Sequence, residues 1–156
     1  LIKKKGNPRL TPTARYRAIL NQELKDDIFE LATYQNFMER VEKSRDDLVA
    51  LCRQLKQEGK TIWIYGASTK GNTILQYCDL GRNDVAAAAD SNPFKIGKHL
   101  IGSDIPIKSE EEMRAARPDY LLVLPYSFVD GFKKREADLI SSGTKFIVPL
   151  PEVKVV

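Results

Sequence analysis

Gly66-Ala67-Ser68-Thr69-Lys70-Gly71-Asn72-Thr73 is the stretch whose residue types and spacing come nearest to phosphate chemistry. A glycine at each end, two hydroxyls between them and a lysine beside the second glycine make a tight turn suited to an anion. A nucleoside-triphosphatase loop of Walker spacing would place lysine directly after that second glycine. Asn72 stands there instead, although Thr73 fills the hydroxyl position that follows. Without that ammonium, ATP or GTP hydrolysis is excluded. The dinucleotide fingerprint fares little better: Gly66 and Gly71 take its first and last places, but Ser68 stands where the central glycine lets backbone approach pyrophosphate. What survives is a helix N-terminus with open N–H groups, the Ser68 and Thr69 hydroxyls, and Lys70. It either holds a phosphate or is a strand-to-helix turn capped by Ser68 or Thr69 that binds nothing.

Other residues with chemical potential follow downstream. Asp90 ends an apolar run at the spacing of ribose-binding acids, and before Ser91-Asn92-Pro93-Phe94 an Asx-turn explains it equally well. Lys95 and Lys98 flank Gly97 and suit either pyrophosphate or solvent. His99 has no carboxylate near it in sequence and reads as structural or exposed. Glu110, Glu111 and Glu112 follow Ser109 as a capping box and favour the positive end of a helix dipole, so they read as structural rather than catalytic. Cys52 and Cys78 are too few and too far apart for a metal or redox pair, and read as buried, reduced thiols of a cytoplasmic protein.

The elements that must position these residues are legible in the apolar pattern. From about Asn21 to Glu58 neither glycine nor proline interrupts the chain, and the spacing predicts one long helix ended by Gly59. Leu31, Met38 and Cys52 share one heptad position, and Tyr34, Val41, Leu48 and Leu55 another, a narrow seam interrupted by Arg45. That seam suits packing on this domain, on a neighbouring domain or on a second copy. Short apolar runs then alternate with helical ones. Thr61–Tyr65, Val85–Ala89, Tyr120–Leu124 and Lys145–Leu150 read as strands, and Ile105–Ile107 as a brief extended piece. Helices are predicted from Gly71 to Gly81, from Ser109 to Pro118 and from about Ser127 to Ser142. Such alternation with short loops predicts a Rossmann-like, doubly wound α/β domain: a mainly parallel sheet with helices on both faces, preceded by the long helix. Ligands of such sheets sit at the carboxyl ends of the strands, where Gly66–Asn72, Asp90–Gly97 and Pro125–Phe128 converge.

The 156 residues divide into a basic leader or linker (1–20), the helix (21–59), the α/β domain (60–151) and a tail (152–156). A 42% hydrophobic and 29% charged composition is that of a folded, non-membrane domain, and no apolar run reaches the roughly 20 residues of a membrane helix. Much of the net charge of +4 comes from Lys3, Lys4, Lys5, Arg9, Arg15 and Arg17. With no aromatic residue before Tyr16, base stacking by this leader has little support, so nucleic acid is not the expected partner. The leader lacks the apolar core and cleavage site of a signal peptide. Because the chain opens on Leu1 rather than Met, it is expected to be cut from a longer one.

Four segments in order, Tyr65–Cys78, Ala89–Ile107, Pro118–Phe128 and Lys145–Pro151, resemble the C-terminal domain of the sugar C-methyltransferases, with the Gly-Ala-Ser-Thr-Lys-Gly-Asn-Thr loop the most telling. The resemblance spans roughly Tyr34 to Pro151. It implies a parent enzyme with a zinc-binding N-terminal module and a central domain that uses S-adenosylmethionine to methylate a carbon of a nucleotide-linked deoxysugar. Zinc ligands, methyl-donor pocket and acid/base residues would then lie upstream, leaving no cofactor and no catalytic residue in this chain. The C-terminal domain would help hold a nucleotide-diphosphate sugar through Gly66, Ala67, Ser68, Thr69, Lys70, Gly71, Asn72, Asp90, Asn92, Lys95, Lys98 and Tyr126, facing the upstream methyltransferase domain. Many relatives are expected to carry Trp-Asn where this chain has Tyr126-Ser127; Tyr126 can still stack, whereas Ser127 lacks two-sided amide bonding. Two other functions fit the residues: a binding module for NAD or coenzyme A, and a non-catalytic assembly domain that forms a homodimer through its long helix.

Overall fold

The computed structural model describes residues 12–156, so Lys3, Lys4, Lys5 and Arg9 of the basic leader lie outside the described residues. Compact packing divides the chain into a unit up to Val41 and a unit of Glu42–Val156.

In the first unit Thr13 caps helix α1 (Ala14–Lys25), its hydroxyl accepting the Tyr16 N–H at 3.2 Å. Arg15 and Arg17, read from sequence as leader, are therefore helical. Helix α2 (Leu31–Gln57) continues into the second unit. The single helix expected from Asn21 is thus two. Asp27, at φ 52°, turns the chain between them, and aspartate is one of the few residues that enters left-handed backbone at modest cost. Periodicity alone does not register such a one-residue break.

In the second unit six strands among the described residues form one sheet: β1 (Ile62–Tyr65), β2 (Ala87–Ala89), β3 (Ile107–Lys108), β4 (Tyr120–Val123), β5 (Lys145–Val148) and β6 (Lys154–Val155). Their order is β3-β2-β1-β4-β5-β6, all neighbours parallel except the antiparallel β5–β6 pair. Strand order reverses between β1 and β4, the arrangement that opens a crevice at the carboxyl ends. β6 arises from the segment read as a tail. Lys154 pairs with Val148, and Val156 exchanges both backbone bonds with Phe146 at 2.8 Å.

Alternate side chains of β1 build two cores. Ile62 and Ile64 pack with Leu48, Cys52 and Leu55 of α2, with Leu75 of α3 (Thr69–Tyr77) and with Cys78, which caps the end of α3. Trp63 and Tyr65 face the other way, onto Met113 of α4 (Glu110–Ala116), Leu139 of α6 (Ala137–Ser141) and the flank of α5 (Val129–Arg135). Burial on both faces explains why these strands read as continuous apolar runs. It also settles the downstream half of the heptad seam, which covers the sheet of its own domain. Leu31, Tyr34 and Met38 of the upstream half are exposed.

The Ser109 capping box forms as read: its hydroxyl accepts the Glu112 N–H and the Glu112 carboxylate accepts the Ser109 N–H. The helix expected over 127–142 instead divides into a 3-10 turn (Tyr126–Phe128), α5 and α6, with Glu136 between them at φ −105°, ψ 31°. Glu136, at that break, belongs to the buried ion-pair cluster described below.

Candidate functional site

Four links assemble the carboxyl edge of the sheet. Gly66 follows β1 at φ +91°, a conformation that glycine adopts without strain, and its N–H bonds the Ala89 carbonyl at 2.8 Å. A Cβ there would lie 2.7 Å from Cγ of Pro125, so the loops after β1 and β4 touch through this absent side chain. Ser68 caps α3, its hydroxyl accepting the Gly71 N–H at 3.0 Å. Gly71 is closed in by Leu124, whose Cβ and Cδ1 would both stand 2.5 Å from an added Cβ, so glycine here lets α3 sit directly on the end of β4.

Asp90 ties the β1 loop to the β2 loop. One carboxylate oxygen accepts the Ala67 N–H at 3.0 Å and the Lys95 ammonium at 2.9 Å; the other accepts the Asn92 N–H at 2.8 Å. Lys95 also donates to the Ala67 carbonyl at 2.9 Å. Asn92 in turn accepts the Phe94 N–H at 3.0 Å. Asp90 and Asn92 thus form consecutive Asx-turns, and the Asp90–Lys95 pair is a clasp between loops.

The structure therefore brings Gly66, Ala67, Ser68, Gly71, Asp90, Asn92 and Lys95 into one bonded cluster. Thr69 and Lys70 stand exposed on the first turn of α3. Asn72 donates its N–H to the Ser68 carbonyl, and its side-chain oxygen is buried with no hydrogen-bond partner among the described residues. Lys98 lies further along, on the hairpin in which His99 bridges Pro106, and its carbonyl accepts the Ile107 N–H at 2.7 Å. Tyr126 opens the 3-10 turn and is half-buried.

Beneath the β4 loop lies a polar cluster that the sequence reading missed. Glu136, 2% exposed, receives two bonds from Arg114, at 2.8 and 2.6 Å, and one from the Tyr65 hydroxyl at 2.7 Å. Arg135 donates to that hydroxyl at 2.9 and 2.6 Å and to Glu110 at 2.8 Å, and its guanidinium stands 5.4 Å above the Tyr65 ring. Burial by itself would raise the Glu136 pKa, but the bonds from Arg114 and Tyr65 and the two guanidinium charges outweigh it and hold it below the ordinary glutamate value. Burial and the Glu136 contact push the Tyr65 phenol up, so it keeps its proton and donates. One sequence signal could have found this cluster: Glu136 falls in the stripe of Val129, Phe132 and Leu139, a charge at a core position.

A shallow groove of about 440 Å³ runs along the outer side of the β4 loop and α5, between Ser127, Phe128, Asp130 and Arg135. Phe128 is 66% exposed, with its ring centroid 6.4 Å from that of Phe132.

Cys52 and Cys78 are free, buried thiols on the α2–α3 face. Burial pushes Cys52 up to about 12 and raises Cys78 as well, which makes both poor nucleophiles. Among the described residues no group of three or more His, Cys, Asp or Glu side chains is placed to hold a metal ion. Nor is any helix among them long and apolar enough to cross a membrane.

A family model described as the C-methyltransferase C-terminal domain matches residues 1–151. The C-methyltransferase NovU of Streptomyces niveus is 37% identical over 138 residues, covering 88% of this chain and 33% of NovU. The chain thus spans about one third of the length of this curated relative.

Proposed function

This chain belongs to the C-methyltransferase C-terminal domain family, and from that premise we propose that it holds a nucleotide-diphosphate sugar for a methyltransferase acting beside it. The observation that carries this reading is the join of three strand-end loops at the switch point, by the Asp90–Lys95 clasp and the Gly66–Pro125 contact, under an α3 N-terminus that presents Thr69 and Lys70. A diphosphate placed there would meet open N–H groups, one hydroxyl and one ammonium. Asp90, Asn92 and Lys95 support it indirectly, by fixing the loops, because their polar atoms are already used in the clasp and its turns.

Carbon methylation needs a base beside the acidic carbon and an aligned methyl donor. Those roles, with S-adenosylmethionine and zinc, are assigned to the two thirds of a NovU-like enzyme that this chain does not span. A cytoplasmic location accords with the two free thiols.

Titration of the chain with thymidine diphosphate, followed by amide NMR shifts, tests the reading, with NAD in parallel. Shifts at Gly66–Thr73 with thymidine diphosphate are expected, and the same shifts with NAD alone would move the assignment to a dinucleotide module. Lys70→Ala should weaken thymidine diphosphate binding by about 1–2 kcal/mol, the loss of one exposed charged hydrogen bond. Unchanged affinity would leave the loop a purely structural turn.

A second reading, assembly with another copy, is favoured by Leu31 at 72% and Tyr34 at 55% exposure along one face of α2. Sedimentation at increasing concentration should show a dimer that Leu31→Glu dissociates; a strict monomer removes this reading. Leu48 is no probe for it, because at 1% exposure it belongs to the core.

A further inference from the structure

The helices that cover the sheet differ in what they bury. On the Ile62/Ile64 face α2 buries Leu48, Cys52 and Leu55, and α3 buries Gly71 and Leu75. On the Trp63/Tyr65 face α4 buries Met113 and α6 buries Leu139. Neither α5 nor the 3-10 turn before it has a buried residue. Tyr126–Arg135 therefore lies on that face with little of the apolar burial that fixes the other helices.

Local structure holds the segment no better. Neither the turn nor α5 has a side-chain hydrogen bond at its N-terminal cap. Gly131 sits inside α5, where a Cβ would meet nothing within 4 Å, so it weakens the helix without any close approach that requires glycine. The contacts that join α5 to the sheet gather near its C-terminal end. Phe132 stands edge-on to Tyr65 with ring centroids 4.7 Å apart, and Val129 is partly buried against the same core. Arg135 donates to the Tyr65 hydroxyl and to Glu110 of α4, and its guanidinium lies 5.3 Å from the Phe132 ring centroid. Both ends of the segment are anchored separately: Pro125 stands against Gly66, and Glu136 has its own bonds from Arg114 and Tyr65.

We propose that Tyr126–Arg135 is a strap that swings off the Tyr65 face while the sheet stays folded, with Arg135 as its latch. Opening breaks the Arg135 bonds to Tyr65 and Glu110 and parts Phe132 from Tyr65. The bonds from Tyr65 and Arg114 to Glu136 stay closed. The motion uncovers the Tyr65 ring immediately before Gly66, so the strap is a movable cover at the carboxyl end of β1. It involves no ligand and stands apart from the nucleotide-sugar reading.

Native-state hydrogen exchange of the chain, read at single amides by NMR over a series of low urea concentrations, tests the strap. A seven-residue helix off the sheet does not keep its own hydrogen bonds, so opening is read at the α5 amides up to Glu136. Helix α4, also seven residues long and on the same face, is the internal comparison. The last-turn amides of α5 should be protected about a hundredfold less than those of α4 and than Leu122 of β4, and nearly independently of urea, because opening exposes little surface. Arg135→Ala should lower the α5 protection about a further tenfold, as loss of a charged hydrogen bond does. Lys134→Ala, which replaces its exposed neighbour, should leave it unchanged. If α5 matches α4, or follows the urea dependence of Leu122, the segment opens only with the whole domain and the strap is overturned. If Arg135→Ala leaves α5 protection unchanged, or Lys134→Ala lowers it equally, Arg135 is not the latch and the proposal falls.

Discussion

Glu136→Ala is expected to destabilise the α/β unit by about 2–4 kcal/mol, a large loss for a site outside the apolar core. The substitution removes three charge-assisted bonds at once and leaves Arg114 facing a cavity, with the Tyr65 hydroxyl deprived of its acceptor. Removing one partner of a fully buried pair costs about 3–5 kcal/mol; the lower range is set here because the Arg114 and Arg135 side chains are 36% and 47% exposed and can rehydrate. Urea unfolding at pH 7 measures the loss, and a change under 0.5 kcal/mol, on the order of an ordinary surface substitution, would deny the cluster a role in stability.

The same residue predicts an acid response. A glutamate in the unfolded chain titrates near about 4.3, and the folded Glu136 is held lower. A depressed folded pKa contributes stability that is fully present above the unfolded value and is lost as pH falls through the folded one. Below about pH 4.3 the wild type should therefore lose stability more steeply than Glu136→Gln, whose amide does not titrate. Equal slopes in a series of urea midpoints from pH 3 to 7 would assign the acid response to other carboxylates.

Gly66→Ala is the second large effect, expected at about 2–4 kcal/mol together with loss of ligand binding. Two independent costs combine. At φ +91° an L side chain is strained, and the new Cβ would stand 2.7 Å from Pro125 Cγ. Relief requires the β1 and β4 loops to separate, which opens the switch point on which the proposed site depends. Gly143 is the control: it also has positive φ, 108°, but a Cβ there would meet nothing within 4 Å. Gly143→Ala should cost only the backbone strain, about 1–2 kcal/mol, and leave thymidine diphosphate binding unchanged. Matching losses of stability and of binding in both variants would show that contact with Pro125 is immaterial.

Strand positions were legible because strands buried on both faces leave unbroken apolar runs, as in Ile62–Tyr65 and Tyr120–Val123. The Ser109 box was legible because its partners lie three residues apart and need nothing distant. The α1–α2 break was not, because it rests on one left-handed aspartate within a stretch otherwise good for helix. Strand β6 was not, because two residues of Lys-Val carry no period of their own and pair only once β5 is in place.

By itself, then, the sequence determined the α/β class, the long helix, the three loops at the carboxyl edge and the family resemblance, since each depends on local spacing. Only the tertiary structure decided how those loops are used. Asp90 and Lys95, equally plausible from sequence as ligand groups, are joined to each other and to Ala67, because folding brings residues 23 and 28 positions apart within hydrogen-bond distance. Glu136 becomes the centre of a buried cluster for the same reason. A charge on an apolar stripe is stable only if partners from distant elements reach it, and Tyr65 on β1 and Arg114 on α4 do so once the sheet has formed.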